Sequence, residues 1–420
     1  MLRSRLLEII RMRFGDDAPP LRLVFPDKDI FDFVPNPAVT ITFLSKEPLK
    51  ALLRGDFARA ADAYVAGLIA VDGPIETVLK TGISLAEKLG KFPRLARLAA
   101  LLPTANSKSR DAANISQHYD VGNEFYGLWL DRRMIYSCAY FKSGDEDIHT
   151  AQQQKLDHIC RKLLLRPGDR LLDIGCGWGG LLQWAADRYG ASGVGVTLSE
   201  RQYASARDAI ASSNLTDLVD IRLQHFRDIH DSGGFDKIVS VGMYEHVGLR
   251  NLPAYFQTVA RLLRPGGVFL NHGIVSTDAA GRPRGPPGGR FIDRHVFPGG
   301  AVPHLSRVLT ELSQAGLEFA DAEDLRPHYA LTLQHWSRRL EACRDQAIRA
   351  ASPEVFRIWR VFLAGMAYAF DRGWLSVAQV LSFKPSYSGE VRRPWTREYQ
   401  YRDPVHAISP VRLAGKLDWT

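Results

Sequence analysis

A short apolar segment followed by spaced glycines constrains this chain most. Leu171–Ile174 precedes Gly175, Gly177 and Gly179. This pattern predicts a strand that turns sharply into a helix, because glycine lets the backbone turn tightly and approach a ligand closely. Asp173, at the tip of the predicted strand, can accept hydrogen bonds. The segment therefore indicates a nucleotide-type binding loop in an α/β domain.

Helix and strand patterns alternate along residues 151–275, which predicts a doubly wound, mostly parallel, Rossmann-like sheet. The predicted helices and strands are 151–165, 170–174, 178–189, 193–197, 199–212, 218–222, 237–241, 251–263 and 267–271. Glu245 follows one of these strands, and the strand after it, Gly267–Leu270, ends on His272. Because the carboxyl ends of parallel strands line one crevice, we expect the glycine loop, Glu245 and His272 to converge.

A length of 420 residues predicts two to three domains, at about 150 residues each. The expected divisions are a small N-terminal domain 1–80, a basic connector 81–110, a main domain 111–382 and a tail 383–420. Within the first domain, 48–67 is predicted as one helix. Residues from about 279 to 382 are predicted to form a lid, mostly helical from 303 onwards.

The composition limits the class of protein. The net charge of +8 favours acidic partners such as anionic lipid, nucleic acid or an acidic carrier protein. The four cysteines form no CxxC pair, which argues against a metal cluster or a disulfide framework. No signal peptide is apparent, and the charge-free segment Val361–Phe370 is far shorter than the roughly 20 residues of a membrane span. We expect a protein that is soluble or bound to a membrane surface.

The glycine loop alone is compatible with a dinucleotide, a flavin or S-adenosylmethionine. A dinucleotide loop requires Gly-x-Gly-x-x-Gly and an acidic residue about 20 residues later that binds the ribose. Gly180 fits the third glycine only loosely, and the next strand ends on Thr197, Leu198 and Ser199, without an acid. The spacing therefore favours S-adenosylmethionine over a dinucleotide.

Several motifs in a fixed order resemble the cyclopropane-fatty-acid synthase family, which includes mycolic-acid cyclopropane synthases and related lipid C-methyltransferases. The motifs are Ile115–Tyr126, Met134–Phe141, Leu172–Gly179, Gly195–Gln202, Met243–Gly248, Phe291–Gly300 and His328–Trp336. Residues 50–80 resemble the family's smaller N-terminal domain more weakly. The resemblance implies a class I methyltransferase fold with a smaller N-terminal domain.

The resemblance also implies which residues bind S-adenosylmethionine. They are Tyr136, Ser137, Gly175, Gly177, Thr197, Leu198 and Gln202. Phe226 and Arg227 stand where the family places an aromatic residue beside the adenine, and Asp173 of the glycine loop completes the predicted set. The motifs imply no metal site.

A bicarbonate ion beside the reacting methyl group is the second cofactor that the resemblance implies. The matching positions are Cys138, Glu245, His272, Ile274 and Tyr329. Methyl transfer from a sulfonium to an alkene leaves a carbocation on the acyl chain, and a base must then remove a proton. A caged oxyanion suits that step, since a carboxylate beside the sulfonium risks being methylated. His272 and Tyr329 would donate hydrogen bonds to the anion, Glu245 would orient it and take up a proton, and Cys138 would act through its backbone.

The predicted reaction places a methylene bridge across a cis double bond of an unsaturated phospholipid acyl chain. The alternatives are methylation of the chain without ring closure, small-amine N-methylation on the same fold, and a catalytically inactive lipid-binding protein. The residues of the anion site favour a lipid, because amine methylation needs no caged base. The glycine loop and Glu245 argue against an inactive protein.

The connector supplies the expected contact with an anionic membrane. Lys88, Lys91, Arg94 and Arg97 lie between leucines at helical spacing, which suits a headgroup interface, although a solvated helix packed on the core and broken at Pro93 is the simpler alternative. We expect a cytoplasmic protein, peripheral at the inner membrane surface, with no nucleic-acid partner. The resemblance suggests a homodimer.

Overall fold

The computed structural model describes residues 2–89, 121–280, 289–297, 300–386 and 393–401. These residues form two units, a small one at the N-terminus and a larger α/β domain. Within the described ranges, no helix is both long and apolar enough to cross a membrane.

The first unit combines a four-stranded sheet with four helices. Its strands are β1 Leu21–Val24, β2 Ile30–Asp32, β3 Val39–Phe43 and β4 Ile69–Asp72, in the sheet order β2-β1-β3-β4. Its helices are α1 Leu2–Phe14, α2 Glu47–Leu53, α3 Phe57–Val65 and α4 Ile75–Leu89. The single helix expected over 48–67 is therefore two helices. The chain turns at Gly55, where φ is +73°, and Asp56 then caps α3 by accepting the Arg59 N–H.

The predicted boundary at residue 80 falls inside α4, so the first unit and the start of the predicted connector share one helix. Lys91, Arg94 and Arg97 lie outside the described residues, and so does the side chain of Lys88. The membrane role of the connector therefore stays a prediction.

The larger unit is built on a sheet of seven strands. They are β5 Arg170–Ile174, β6 Ser192–Thr197, β7 Val219–Leu223, β8 Phe235–Val241, β9 Leu263–Ser276, β10 Glu318–Asp324 and β11 Leu375–Phe383. The order across the sheet is β10-β11-β9-β8-β5-β6-β7, and β11 alone runs in the direction opposite to the other six strands. The prediction of a doubly wound, mostly parallel sheet is confirmed.

Helices pack around this sheet, and local sequence sets their ends. They are α5 Asn123–Trp129, α6 Ile148–Lys162, α7 Gly180–Tyr189, α8 Glu200–Ser212, α9 Leu252–Leu262, α10 Gly289–His295, α11 Leu305–Gln314, α12 Arg326–Ala342, α13 Arg344–Ala350 and α14 Pro353–Asp371. Gly179 and Gly190 flank α7 with left-handed backbone conformations. Asp147 caps α6 by accepting two backbone N–H groups. Because α7 begins directly after Gly179, the glycine loop lies at the edge of the sheet.

The region from about 279 to 382 is mostly helical from 303 onwards, as expected, and its role as a lid stays a prediction. It also contains two strands that we did not expect, β10 and most of β11, which extend the main sheet beyond β9. β10 is rich in acidic residues, which disfavour strands, and β11 is buried almost throughout, so neither alternates clearly between apolar and polar residues. His272 likewise lies inside β9 and not at its end, because β9 continues to Ser276 in its pairing with β11.

The helix α14 belongs to the larger unit but also contacts the small one. Ala364 is buried in the hydrophobic core of the small unit. Arg360, only 5% exposed, donates to the Tyr64 hydroxyl at 3.1 Å and to the carbonyl oxygens of Val71 at 3.1 Å and Gly73 at 2.8 Å. The two units therefore share a buried polar contact.

Candidate active site

A cleft opens at the carboxyl ends of β5, β6 and β8, beside the glycine loop. The predicted cofactor residues that line it are Tyr136, Ser137, Asp173, Gly175, Gly177, Thr197, Leu198, Gln202 and Phe226. Arg227 lies outside this lining. Its guanidinium carbon lies 5.6 Å from the centroid of the Phe226 ring, because the two residues occupy one tight 3₁₀ turn.

The glycine loop approaches its surroundings in two different ways. Gly175 has a φ of +85°, and a Cβ atom there would lie 2.7 Å from Cγ of Met243. Gly177 has a φ of +55°, but a Cβ there would meet no atom within 4 Å. Gly175 therefore permits close packing, whereas Gly177 leaves the cleft open at the loop.

The end of β6 is held by a short network of side chains. The Thr197 hydroxyl donates to Oε1 of Gln202 at 2.9 Å and accepts the Ser199 N–H at 3.2 Å. Ser199 in turn caps α8 by accepting the Gln202 N–H at 3.3 Å. All three residues are buried, so the network fixes the side of the cleft that faces β6.

Sequence reasoning missed Lys155, which also lines the cleft. Its ammonium group donates to the Ser137 hydroxyl at 2.9 Å, and its side chain is 2% exposed. Burial lowers the pKa of Lys155 to about 8. Burial also raises the pKa of Asp173 to about 7, although the nearby Lys155 charge opposes that shift. The sequence carries one sign of this burial, because Lys155 lies four residues from both Ala151 and Ile159 and therefore on the same apolar face of α6.

Glu245 lies in a 3₁₀ turn just after β8. Its Oε1 atom accepts the Ile274 N–H at 2.7 Å, while Oε2 is shielded from solvent and has no hydrogen-bond partner among the described residues. Burial raises the pKa of Glu245 to about 7. The neighbouring Tyr244 packs so closely on Gly273 that a Cβ there would lie 1.8 Å from the ring, and its hydroxyl donates to the Ile274 carbonyl at 2.5 Å. These contacts fix the carboxyl group against β9.

His272 is 2% exposed and is paired with Val241 across the sheet. Its Nδ1 atom lies 3.1 Å from Nε2 of Gln379, and its Nε2 atom is buried without a partner in the described part of the chain. Burial lowers the pKa of His272 well below its usual value, and the Lys155 and Lys162 charges act in the same direction. The imidazole is therefore neutral at physiological pH.

Leu325 connects the remaining predicted residues of the anion site. Its carbonyl oxygen accepts the Tyr329 N–H at 3.0 Å and lies 3.9 Å from the Cys138 sulfur, and its own N–H donates to Val377. Val377 is the partner of Ile274 in the sheet. Burial raises the pKa of the Cys138 thiol, which therefore stays protonated and is a poor nucleophile.

The structure thus links Glu245 to β9 through the Ile274 N–H, two residues from His272. Leu325 links Cys138 and Tyr329 to Val377, the sheet partner of Ile274. The site contains one shielded carboxyl oxygen and one shielded imidazole nitrogen, neither hydrogen-bonded to a described residue. A buried polar atom is costly to leave without a partner, so these two atoms are suited to bind a small polar group.

Known proteins with similar sequences agree with this architecture. The family model described as mycolic acid cyclopropane synthetase matches residues 106–380. A probable fatty acid methyltransferase of Pseudomonas putida is 44% identical over 387 residues, which cover 91% of this chain and 96% of the relative. The cyclopropane-fatty-acyl-phospholipid synthase of Escherichia coli K12 is 39% identical over 284 residues, which cover 67% of this chain and 70% of the relative.

A solved structure, mycolic acid cyclopropane synthase CmaA1 in complex with SAH and CTAB, superposes with a TM-score of 0.61 at 35% sequence identity. The match covers 65% of this chain and 98% of the solved chain. The family match and the fold agree with the cleft and its glycine loop. The chain therefore belongs to the mycolic acid cyclopropane synthetase family of S-adenosylmethionine-dependent lipid methyltransferases.

Proposed function

We propose that this enzyme transfers a methylene group from S-adenosylmethionine to the cis double bond of an unsaturated phospholipid acyl chain, forming a cyclopropane ring. The observation that carries this proposal is the pair of buried atoms without partners, Glu245 Oε2 and His272 Nε2. The name of the Escherichia coli relative, 39% identical, supports the phospholipid substrate.

S-adenosylmethionine supplies an electrophilic methyl group when it is bound in the cleft. We assign Gly175 and Gly177 to its close backbone contacts, and Thr197 and Gln202 to the wall of the cleft at β6. Ser137, held by Lys155, also lines the cleft. The SAH bound to the CmaA1 relative supports this assignment.

Bicarbonate fits the donors and acceptors of the anion site, because it carries one O–H donor and several acceptor oxygens. Glu245 Oε2 can accept that O–H, and neutral His272 can donate an N–H to the oxygens. When bound, it would supply a small proton acceptor beside the substrate. Tyr329 and the Cys138 backbone would complete the site from the α12 side.

Glu245 is suited to receive the proton that the reaction releases. Its pKa of about 7 lets the carboxyl group take up and release a proton near neutral pH. The Ile274 N–H holds Oε1 in place, so that only Oε2 remains for this task. The burial of this carboxyl also keeps water away from a developing carbocation.

Methylation without ring closure is a second candidate function. The most extensive match described above, to the Pseudomonas putida relative, is to a protein named for fatty acid methylation and not for cyclopropane formation. Small-amine N-methylation is disfavoured, because an amine loses its own proton and needs no buried pair of acid and imidazole.

Mass spectrometry of lipids from a bacterial host expressing the chain separates these functions. The proposal predicts phospholipids heavier by one CH₂, with fragments that place a ring at the former double bond. A methyl branch at the same mass would support the second candidate. Unchanged lipids together with a methylated amine would overturn both. Omitting bicarbonate from the purified enzyme should lower the rate, and adding it back should restore activity.

We further propose that the enzyme acts while bound peripherally to an anionic membrane as a homodimer. The net charge of +8 and the basic connector support the first part of this proposal, because acyl chains reside in the bilayer. Sedimentation at defined protein concentrations tests the second part.

A further inference from the structure

A row of side chains crosses three neighbouring strands beside the anion site. Gln379 of β11 is the sheet partner of His272 on one side and of Glu323 of β10 on the other. Paired residues project to the same face of a sheet, so the three side chains lie side by side. Gln379 is fully buried, and its Nε2 atom lies 3.1 Å from Nδ1 of His272.

The contact determines which imidazole nitrogen carries the proton. In the orientation that the structure gives the amide, the nitrogen of Gln379 donates and Nδ1 of His272 accepts. A neutral imidazole then carries its proton on Nε2, which is the nitrogen without a partner among the described residues. In an imidazolium, the Nδ1–H would face the N–H of Gln379, and two donors would then point at each other. The contact therefore also disfavours protonation of His272.

Other groups around this row reinforce the neutral form. From α6, Lys155 and Lys162 both lower the pKa of His272, as does His158, whereas Glu323 of β10 opposes them. Glu323 itself is held by the His158 imidazole at 2.8 Å and by the Lys162 ammonium at 2.5 Å. Its charge is therefore directed to α6 and not to the Gln379 amide.

We propose that Gln379 is a positioning residue that holds His272 as the neutral tautomer with its proton on Nε2, so that His272 donates a hydrogen bond into the anion site. This inference rests on the proposed function for the role of that donor. The opposite tautomer would present a lone pair to the anion, and an imidazolium would give up its proton to the anion.

The substitution Gln379→Glu tests the proposal with little change of shape. The new carboxylate accepts a hydrogen bond from Nδ1, so the proton moves to Nδ1 or the ring becomes charged. Selective ¹⁵N labelling of histidine reads the tautomer directly, and the His272 signals are identified by their loss in His272→Gln. We expect the parent to show protonated Nε2 and unprotonated Nδ1, and Gln379→Glu to show protonated Nδ1.

The same variant should lower kcat about 10–100-fold, as is typical when the partner that orients a histidine is changed. The KM for S-adenosylmethionine and the affinity for S-adenosylhomocysteine should not change. The acid limb of the pH–rate profile should move to higher pH, because a carboxylate stabilises the imidazolium. Ser382→Ala, a change at another buried polar residue of β11, is the matched control and should alter none of these.

Three outcomes separate the possibilities. A parent His272 protonated on Nδ1, or a tautomer that is unaffected by Gln379→Glu, would overturn the inference. If Gln379→Glu does not fold, Gln379→Met keeps the shape without the donor and should give a mixture of tautomers. A parent that does not methylate lipid would refute the proposed function, whereas the tautomer measurement would still decide the role of Gln379.

Discussion

At the scale of single residues, Glu245 is the most consequential side chain of the site, since only one of its carboxyl oxygens has a partner among the described residues. Glu245→Gln keeps its shape but cannot accept a proton. We expect lipid methylation to fall about 10²–10⁴-fold, the usual contribution of a general base. Calorimetry with S-adenosylhomocysteine should give an unchanged affinity. Glu311→Gln, at a buried carboxyl group on α11 that is paired with Arg307, should remain active. Normal turnover in Glu245→Gln would remove this residue from the mechanism.

The same substitution should change how stability depends on pH. Burial raises the pKa of Glu245 from 4.5 to about 7, so the folded protein holds this proton more tightly than the unfolded chain does. Below pH 4.5, burial of the protonated carboxyl has no effect of this kind on the free energy of unfolding. That free energy falls as the pH rises from 4.5 to 7, and above pH 7 the full cost of burying the ionised carboxyl is present. Glu245→Gln removes this cost, at most about 3 kcal/mol. The difference in Tm, variant minus parent, should grow between pH 5 and pH 8. A constant difference would contradict the shift.

Gly177 controls access to the cleft at the glycine loop. Valine there would carry a branched side chain into open space at a φ of +55°. Gly177→Val should weaken S-adenosylhomocysteine binding more than tenfold, about 1.4 kcal/mol. Gly316→Val is the matched control, because Gly316 also has a positive φ and free space but lies in an exposed turn after α11. Equal affinities in the two variants would mean that this loop is not the cofactor site.

At the scale of elements, α6 directs three basic residues, Lys155, His158 and Lys162, towards the sheet. Lys162 is fully buried and is paired with Glu323. Lys162→Met leaves that carboxylate with His158 alone and should lower the free energy of unfolding by about 3–5 kcal/mol. Adding Glu323→Gln should recover part of the loss, because it removes the buried charge. Urea unfolding of both single variants and the double variant measures the coupling, and strictly additive losses would exclude it.

Much of the sheet could be predicted from the sequence, because its parallel strands are apolar and its helices begin and end at recognisable caps. The strand Arg170–Ile174 was predicted to the residue, and the helix Leu252–Leu262 to within one residue at each end. β10 and β11 were missed, since acidic residues and continuous burial hide the strand alternation. Gln379 and Lys155 could not be assigned roles, because their partners are more than ten residues away in sequence and meet only in the folded sheet.

At the scale of the whole molecule, the predicted membrane contact of the connector can be tested by changing its charge. Reversing Lys88, Lys91, Arg94 and Arg97 to Glu removes attraction worth about 1 kcal/mol for each residue close to an anionic surface. Activity on anionic vesicles should fall and become less dependent on salt. Activity on detergent-dispersed lipid should change little. Equal losses on both substrates would indicate that the connector is structural.

The contact made by Arg360 has a consequence for how the chain can be divided. Its guanidinium is paired with the Glu341 carboxylate of the larger unit, and its remaining N–H groups donate to the hydroxyl and carbonyl oxygens of the small unit. A protein trimmed to its catalytic half would expose Ala364 and leave Arg360 without these three acceptors. The N-terminal unit is thus not an independent module attached to an enzyme, and recombining it with other catalytic halves would require a matching arginine on the receiving helix.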